Sequence, residues 1–230
     1  MKKSIMSNKI TLAIFFLLNV IFASSDSKSD SKAYILALQW PNTTCFMNGK
    51  TISKTVKNPK SFGIHGLWPS NSEQTSKEPF PKDGFKSLCP QTLQMEIPIY
   101  WPNMIEDNNA KLWSIEWNKH GRCSGFDICT YFWNTLGLFK TLRAINLVGE
   151  LEKASKPVVV GNSYDLSTLS AAFKETLGGG KNDTLIRCAK IGEKYYLWEV
   201  HVYLDAKLTR VQPPEVARGC GSTIIFPSPI

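Results

Sequence analysis

At 230 residues, 43% of them hydrophobic, the chain is sized for one domain with a proper core and has no internal repeat or linker that would split it. Its 27 Lys and Arg against 19 Asp and Glu give a formal charge of +8. Such a balance fits contact with nucleic acid, an anionic cell wall or an acidic polysaccharide, and does not choose among them.

The first element read along the chain is not part of a core. Lys2, Lys3 and Lys9 form a positive start, Ile10 to Phe22 is an apolar run broken by Thr11 and Asn19, and Ala23-Ser24-Ser25 follows with small residues. This is the pattern of a secretory signal peptide over residues 1–25, too short and too weakly flanked for a membrane span. The expected mature chain, residues 26–230, is secreted, extracellular, monomeric and free of membranes. Removing three lysines and no acids leaves a charge of 8 − 3 = +5.

Asp26 to Lys32 is polar. Tyr34 to Trp40 is apolar, stops at Pro41 and reads as a buried strand. A lysine-rich loop over 46–61 leads into a second strand, Phe62 to Trp68, and 70–90 is a long surface excursion. Helical patterns follow at 91–96, 109–120, 130–145 and 166–177. Leu185–Lys190 and Tyr195–Leu204 read as strands around a turn at Gly192. Strands, then helices, then strands predict an α+β domain, a central antiparallel sheet with helices packed around it, rather than repeated βαβ units.

Six cysteines, Cys45, Cys89, Cys123, Cys129, Cys188 and Cys220, read as disulfides in an exported chain. Spacing alone cannot select one of their fifteen pairings. No CxxC pair and no histidines at zinc-ligand spacing are present, so neither a metal nor another cofactor is expected. Two sequons, at Asn182 and Asn42, are candidate glycan sites; Asn182 lies beside Gly178-Gly179-Gly180 and is the better one.

The chemistry concentrates in Phe62-Gly63-Ile64-His65-Gly66-Leu67-Trp68-Pro69 and Glu116-Trp117-Asn118-Lys119-His120-Gly121-Arg122-Cys123, which hold two of the three histidines. On a helix, Glu116, Lys119 and His120 share a face, being related by i, i+3 and i, i+4, while Trp113 and Trp117 form an adjoining apolar stripe. Gly121 is expected to end that helix through a left-handed cap. Period-2 alternation on a strand places Ile64 and Trp68 opposite His65. Two imidazoles, a carboxylate and an ammonium suit metal-free phosphodiester cleavage: a base for the attacking hydroxyl, an acid for the leaving oxygen, and a cation for the charged phosphoryl oxygens. Trp68 is a candidate to stack on a base and Gln39 to reach one with its amide. His201, among alternating valines, reads as an exposed strand residue without a part in the chemistry.

The strings IHGLWP and EWNKHGRC resemble the two signatures of the T-two type of secreted ribonucleases, which cut RNA through a 2′,3′-cyclic phosphate. The resemblance extends to Leu38-Gln39-Trp40-Pro41 and to the Cys-Gly-Ser end with Ile225-Phe226-Pro227. It implies a metal-independent endoribonuclease in which His120 is the base, His65 the acid, and Glu116 and Lys119 stabilise the phosphorane. It also implies disulfides Cys89–Cys123 and Cys188–Cys220, leaving Cys45 and Cys129 to pair with each other or one to stay free. Ile115 stands where many members have a third histidine. The basic charge leans toward the plant S-ribonucleases of self-incompatibility, whose partners would include pollen-expressed recognition proteins. The alternatives are an S-like extracellular ribonuclease for phosphate recovery or defence, and an inactive storage or binding protein on the same fold.

Overall fold

The computed structural model describes residues 33–70, 73–82, 84–85, 88–178, 183–212 and 219–229. The expected signal segment and Asn182 lie outside the described residues.

In chain order the elements are β1 (Tyr34–Gln39), α1 (Pro41–Met47), β2 (Gly63–Pro69), α2 (Gln91–Tyr100), α3 (Asn109–Lys119), a 3-10 turn at Gly121–Cys123, α4 (Ile128–Thr141), α5 (Leu147–Leu151), β3 (Ser163–Asp165), α6 (Leu166–Gly178), β4 (Thr184–Ile191), β5 (Lys194–Leu204) and β6 (Thr223–Ile225). Among the described residues the strands form one sheet in the order β2-β1-β5-β6-β3, with β4 on the other edge of β5. All pairings are antiparallel except β5 with β6, which is parallel. The α+β expectation holds, with that one parallel pairing added.

The sheet's two faces separate by residue type. On one, Leu36 pairs with Val202 and Leu67, and Leu38 with Val200 and Ile64, all fully buried. These side chains join Trp40, Trp101, Trp117, Tyr131, Phe132, Phe139, Phe173 and Phe226 in one core. On the other, Ala37 pairs with His201 and Gly66, and Gln39 with Glu199. A polar set on the second face of a central strand is where a site would be sought.

Pro41 ends β1 as expected, but it also starts α1, where its fixed φ and missing N–H suit the first helical position. Asn42 is thereby buried and donates its amide to the Ser228 carbonyl, so the Asn42 sequon is not accessible in the folded chain. The three-residue strands β3 and β6, the short α1 and α5, and the extension of α2 to Tyr100 went beyond what periodicity indicated.

The disulfides correct two of the expected pairings. Cys89 is bonded to Cys129, and Cys188 to Cys220. Cys123 is not joined to Cys89, and Cys45 is not joined to Cys129. The Cys123 thiol turns back onto the end of α3 and contacts the Lys119 carbonyl at 3.6 Å. Cys45 is buried in α1 and donates to the Met104 carbonyl at 3.3 Å. Cys129, in the first turn of α4, is the cysteine that faces the segment just before α2.

Candidate active site

The site is built on β2, β5 and the C-terminal end of α3. β2 carries an irregularity against β1: Ala37 pairs with Gly66 and Leu38 with Ile64, so His65 is the extra, bulged residue. A bulge resets the alternation. Ile64 and Leu67 therefore keep to the core face, while His65, Gly66 and Trp68 all lie on the other. This overturns the placement of Trp68 opposite His65; their rings sit 5.1 Å apart, edge to face.

Three side chains from elsewhere fix this bulged segment by its carbonyls. Gln39 Nε2 donates to Ile64 O at 3.3 Å, Trp101 Nε1 to His65 O at 2.9 Å, and the Tyr131 hydroxyl to Leu67 O at 2.9 Å. Gln39 is buried, and its carbonyl accepts from Thr44. It holds β2 in place, and is not turned outward to read a base.

α3 begins at Asn108, whose side chain accepts from the Lys111 backbone N–H at 3.1 Å and so caps an otherwise unpaired donor. Trp113 and Trp117, four residues apart, are buried and anchor the helix, donating to the Trp101 and Glu78 carbonyls at 2.9 and 2.8 Å. The helix runs to Lys119, whose charge suits the negative end of the dipole, and His120 closes it by donating its N–H to Glu116 O. Gly121 is not in the left-handed region. It is needed for space instead: a Cβ there would lie 2.2 Å from Cε3 of Trp117.

Glu116, buried, points from α3 across to β2, where its Oε2 accepts from Trp68 Nε1 at 3.0 Å. Gly66 leaves the room for this contact, since a Cβ would come within 2.2 Å of that carboxylate oxygen. The Trp68 ring lies between three imidazoles, 5.1 Å from His65, 5.4 Å from His120 and 5.3 Å from His201. His65, Glu116 and His120 thus converge around Trp68, from a bulged strand and a helix end, with Lys119 near enough to act electrostatically on all three.

Two residues of β5 were missed by the sequence reading. Glu199 is buried, with Oε1 on His65 Nδ1 and Oε2 on His201 Nε2, the latter at 2.8 Å. His201 is buried rather than exposed, because β5 is flanked by β1 and β4 and its second face is covered. The available signal was the spacing Glu199-x-His201, which puts an acid and an imidazole on one strand face.

The electrostatics separate the two outer histidines. Burial lowers the His65 pKa, but the hydrogen bond and charge of Glu199, with help from Glu116, outweigh it and raise the imidazole above its ordinary 6.5. His120 is lowered to about 4, first by burial and then by the positive charges of His65 and Lys119. Burial raises the Glu116 carboxyl against the opposing pull of His65, Trp68 and Lys119. Glu199 is lowered to about 2: burial opposes its charge, and the hydrogen bonds from His201 and His65 prevail. The two imidazoles of one cleft are thus moved in opposite directions, His65 toward keeping its proton and His120 toward losing it.

Residues 31–213 match the Ribonuclease T2 family. Ribonuclease 1 of Arabidopsis thaliana is 27% identical, covering 98% of this chain and 99% of its own length. Ribonuclease S-2 of Antirrhinum hispanicum is 26% identical, covering 74% of this chain and 70% of its own. The fold is similar to that of ribonuclease MC1 from bitter gourd seeds, with a TM-score of 0.69 at 24% identity over 85% of this chain and 100% of that one. With most of its length matched by the family model, the chain belongs to the Ribonuclease T2 family and is an endoribonuclease.

Proposed function

We propose that the chain cleaves single-stranded RNA by attack of a ribose 2′-hydroxyl on the adjacent phosphorus, without a metal, with His120 as base and His65 as acid. The observation that carries this reading is the pair of imidazoles bracketing Trp68 at 5.1 and 5.4 Å. Neutral His120 takes the 2′-hydroxyl proton while the new P–O bond forms. His65, in its protonated form, gives its Nε2 proton to the 5′-oxygen as the old P–O bond breaks, leaving a 2′,3′-cyclic phosphate. The Lys119 ammonium offsets charge on the phosphoryl oxygens. Glu116, raised by burial, supplies or shares a proton there, its other oxygen held by Trp68. In the hydrolytic step the two histidines exchange roles. Trp68 is the aromatic surface on which a base adjoining the scissile bond would rest.

Solved relatives support a nucleotide substrate: a mutant of RNase MC1 was crystallised with 5′-UMP, and RNase NT with 5′-AMP. Replacing either His65 or His120 by Asn is expected to lower turnover of polyuridylate by roughly 10²–10⁴-fold. Near-unaltered turnover by either variant would overturn the assignment. Activity is expected to survive EDTA, and 2′-deoxy substrates to resist cleavage; efficient cutting of DNA would refute attack by the 2′-hydroxyl.

The biological setting we propose is secretion in the style, as an S-ribonuclease that acts on pollen and meets pollen-expressed recognition proteins. The basic charge and the N-terminal segment support it. A second reading, an S-like extracellular enzyme, is favoured by the end-to-end match to extracellular ribonuclease LE of Solanum lycopersicum, 26% identical over 97% of this chain. RNase activity in style extracts that segregates with incompatibility type would support the first. Expression in root or leaf under stress would favour the second. The intact histidine pair argues against an inactive storage protein.

A further inference from the structure

We propose that Glu199 is a positioning residue for His65, and that His201 is the hydrogen-bond donor that holds Glu199 in place. The inference rests on the reading of His65 as the acid. Bonding of His65 Nδ1 to Glu199 leaves Nε2 as the ring nitrogen available to substrate. It also fixes the tautomer and the ring angle, the task that a carboxylate performs behind a working imidazole. The exposures fit this division: the His65 side chain is 27% exposed and that of Glu199 only 2%.

A buried carboxylate is retained only where its charge is satisfied, and each oxygen of Glu199 has one imidazole partner. His201 has no other use for its polarity. Its Nδ1 is buried and without a hydrogen-bond partner. With the proton on Nε2 the ring donates to Glu199, and Nδ1 is left as a bare acceptor. The opposite tautomer would set a lone pair against the carboxylate and bury an unpartnered N–H. An apolar side chain would fill the same space without an orphaned nitrogen, so the polar contact to Glu199 is what the histidine contributes. Trp68 packs edge-on against both His65 and His201, closing the group on the third side.

In the reaction, the Nε2–H bond of His65 breaks, its proton joins the 5′-oxygen, and that oxygen keeps the electron pair of the broken P–O bond. Glu199 takes no proton. The charged and titratable groups around His65 are Glu199 on β5, Glu116 and Lys119 on α3, and His120 at the end of that helix. Of these, Glu199 is the one in hydrogen-bond contact.

The test uses the full chain with Glu199→Gln, His201→Phe and His201→Gln, on two substrates. One is a dinucleotide, whose leaving alkoxide needs a proton; the other is a uridine 3′-(4-nitrophenyl) phosphate, whose leaving group does not. Glu199→Gln is expected to lower kcat on the dinucleotide about 10-fold or more, a part of the roughly 10²–10⁴-fold that a general acid supplies. KM and turnover of the aryl ester should change little. In ¹⁵N NMR, His65 should titrate at lower pH than in the unaltered chain. His201→Phe should reproduce this more weakly and His201→Gln, which keeps a donor, should restore it; that pair decides the matter if Glu199→Gln does not fold. Equal losses on both substrates with an unshifted His65 titration would overturn the proposal, as would no loss on either. Failure of the unaltered chain to cleave either substrate would sink the ribonuclease mechanism instead, while the His65 titration would still test the Glu199 contact.

Discussion

His65 and His120 are chemically identical side chains whose surroundings move their proton affinities in opposite directions. Glu199 lies behind one, and the positive charges of His65 and Lys119 lie near the other. The signs fix a pH profile. His120 must be neutral to act as base, so kcat/KM should fall as pH drops through about 4. His65 must be charged to act as acid, so the rate should fall again as pH rises through a value above 6.5. A single sigmoid in place of this bell would separate the two groups from the rate. Lys119 lowers both imidazoles, so Lys119→Ala should move both limbs to higher pH. If the ammonium acts on the transition state, the same change should lower kcat more than it raises KM. A pure KM effect would make Lys119 a substrate anchor.

At the scale of elements, the site depends on two places where close packing has displaced a regular pattern. A bulge brings His65 and Trp68 to one face of β2, and glycines open the space that Glu116 and Trp117 occupy. Gly66→Ala would place a Cβ 2.2 Å from Glu116 Oε2 and 2.3 Å from Trp68 Nε1, so both side chains must shift. Activity should drop sharply while the circular dichroism spectrum stays native. Gly121→Ala instead meets the buried Trp117 ring, and overpacking of that kind costs about 1–3 kcal/mol. It should lower the denaturation midpoint in urea, and an unchanged midpoint would mean the ring moves freely. These positions also explain what the sequence could and could not reveal. Helix α3 was legible because Trp113, Glu116, Trp117 and His120 follow its period, and β5 because its apolar run is long. The bulge was not legible, since one extra residue leaves no local mark and is visible only in the pairing of Ala37 with Gly66. Glu199 and His201 were missed for a related reason: their burial depends on β5 having neighbours on both edges, which topology decides.

For the whole molecule, the question is what ties the helical layer to itself and the sheet to its C-terminal return. The two bridges act at these places. Cys89–Cys129 links the segment before α2 to the start of α4 across 40 residues, and Cys188–Cys220 links β4 to the stretch before β6 across 32. In the chain-entropy model each closure contributes about 4 kcal/mol, a large share of the roughly 5–15 kcal/mol that holds a domain folded. Neither bridge involves the groups proposed as catalytic, whose strand and helix are held by Trp68, Trp101, Trp117 and Tyr131. Removing Cys89 and Cys129 together by substitution with Ala should therefore lower the thermal midpoint markedly. Below that midpoint it should leave the pH profile of cleavage unchanged. Non-reducing peptide mapping is expected to recover Cys89 joined to Cys129. Alkylation should reach Cys45 and Cys123 only after unfolding, since both thiols are buried. Recovery of a Cys89–Cys123 peptide would overturn this connectivity. It would mean that the end of α3, and with it His120, is anchored by a covalent bond rather than by the packing of Gly121 against Trp117.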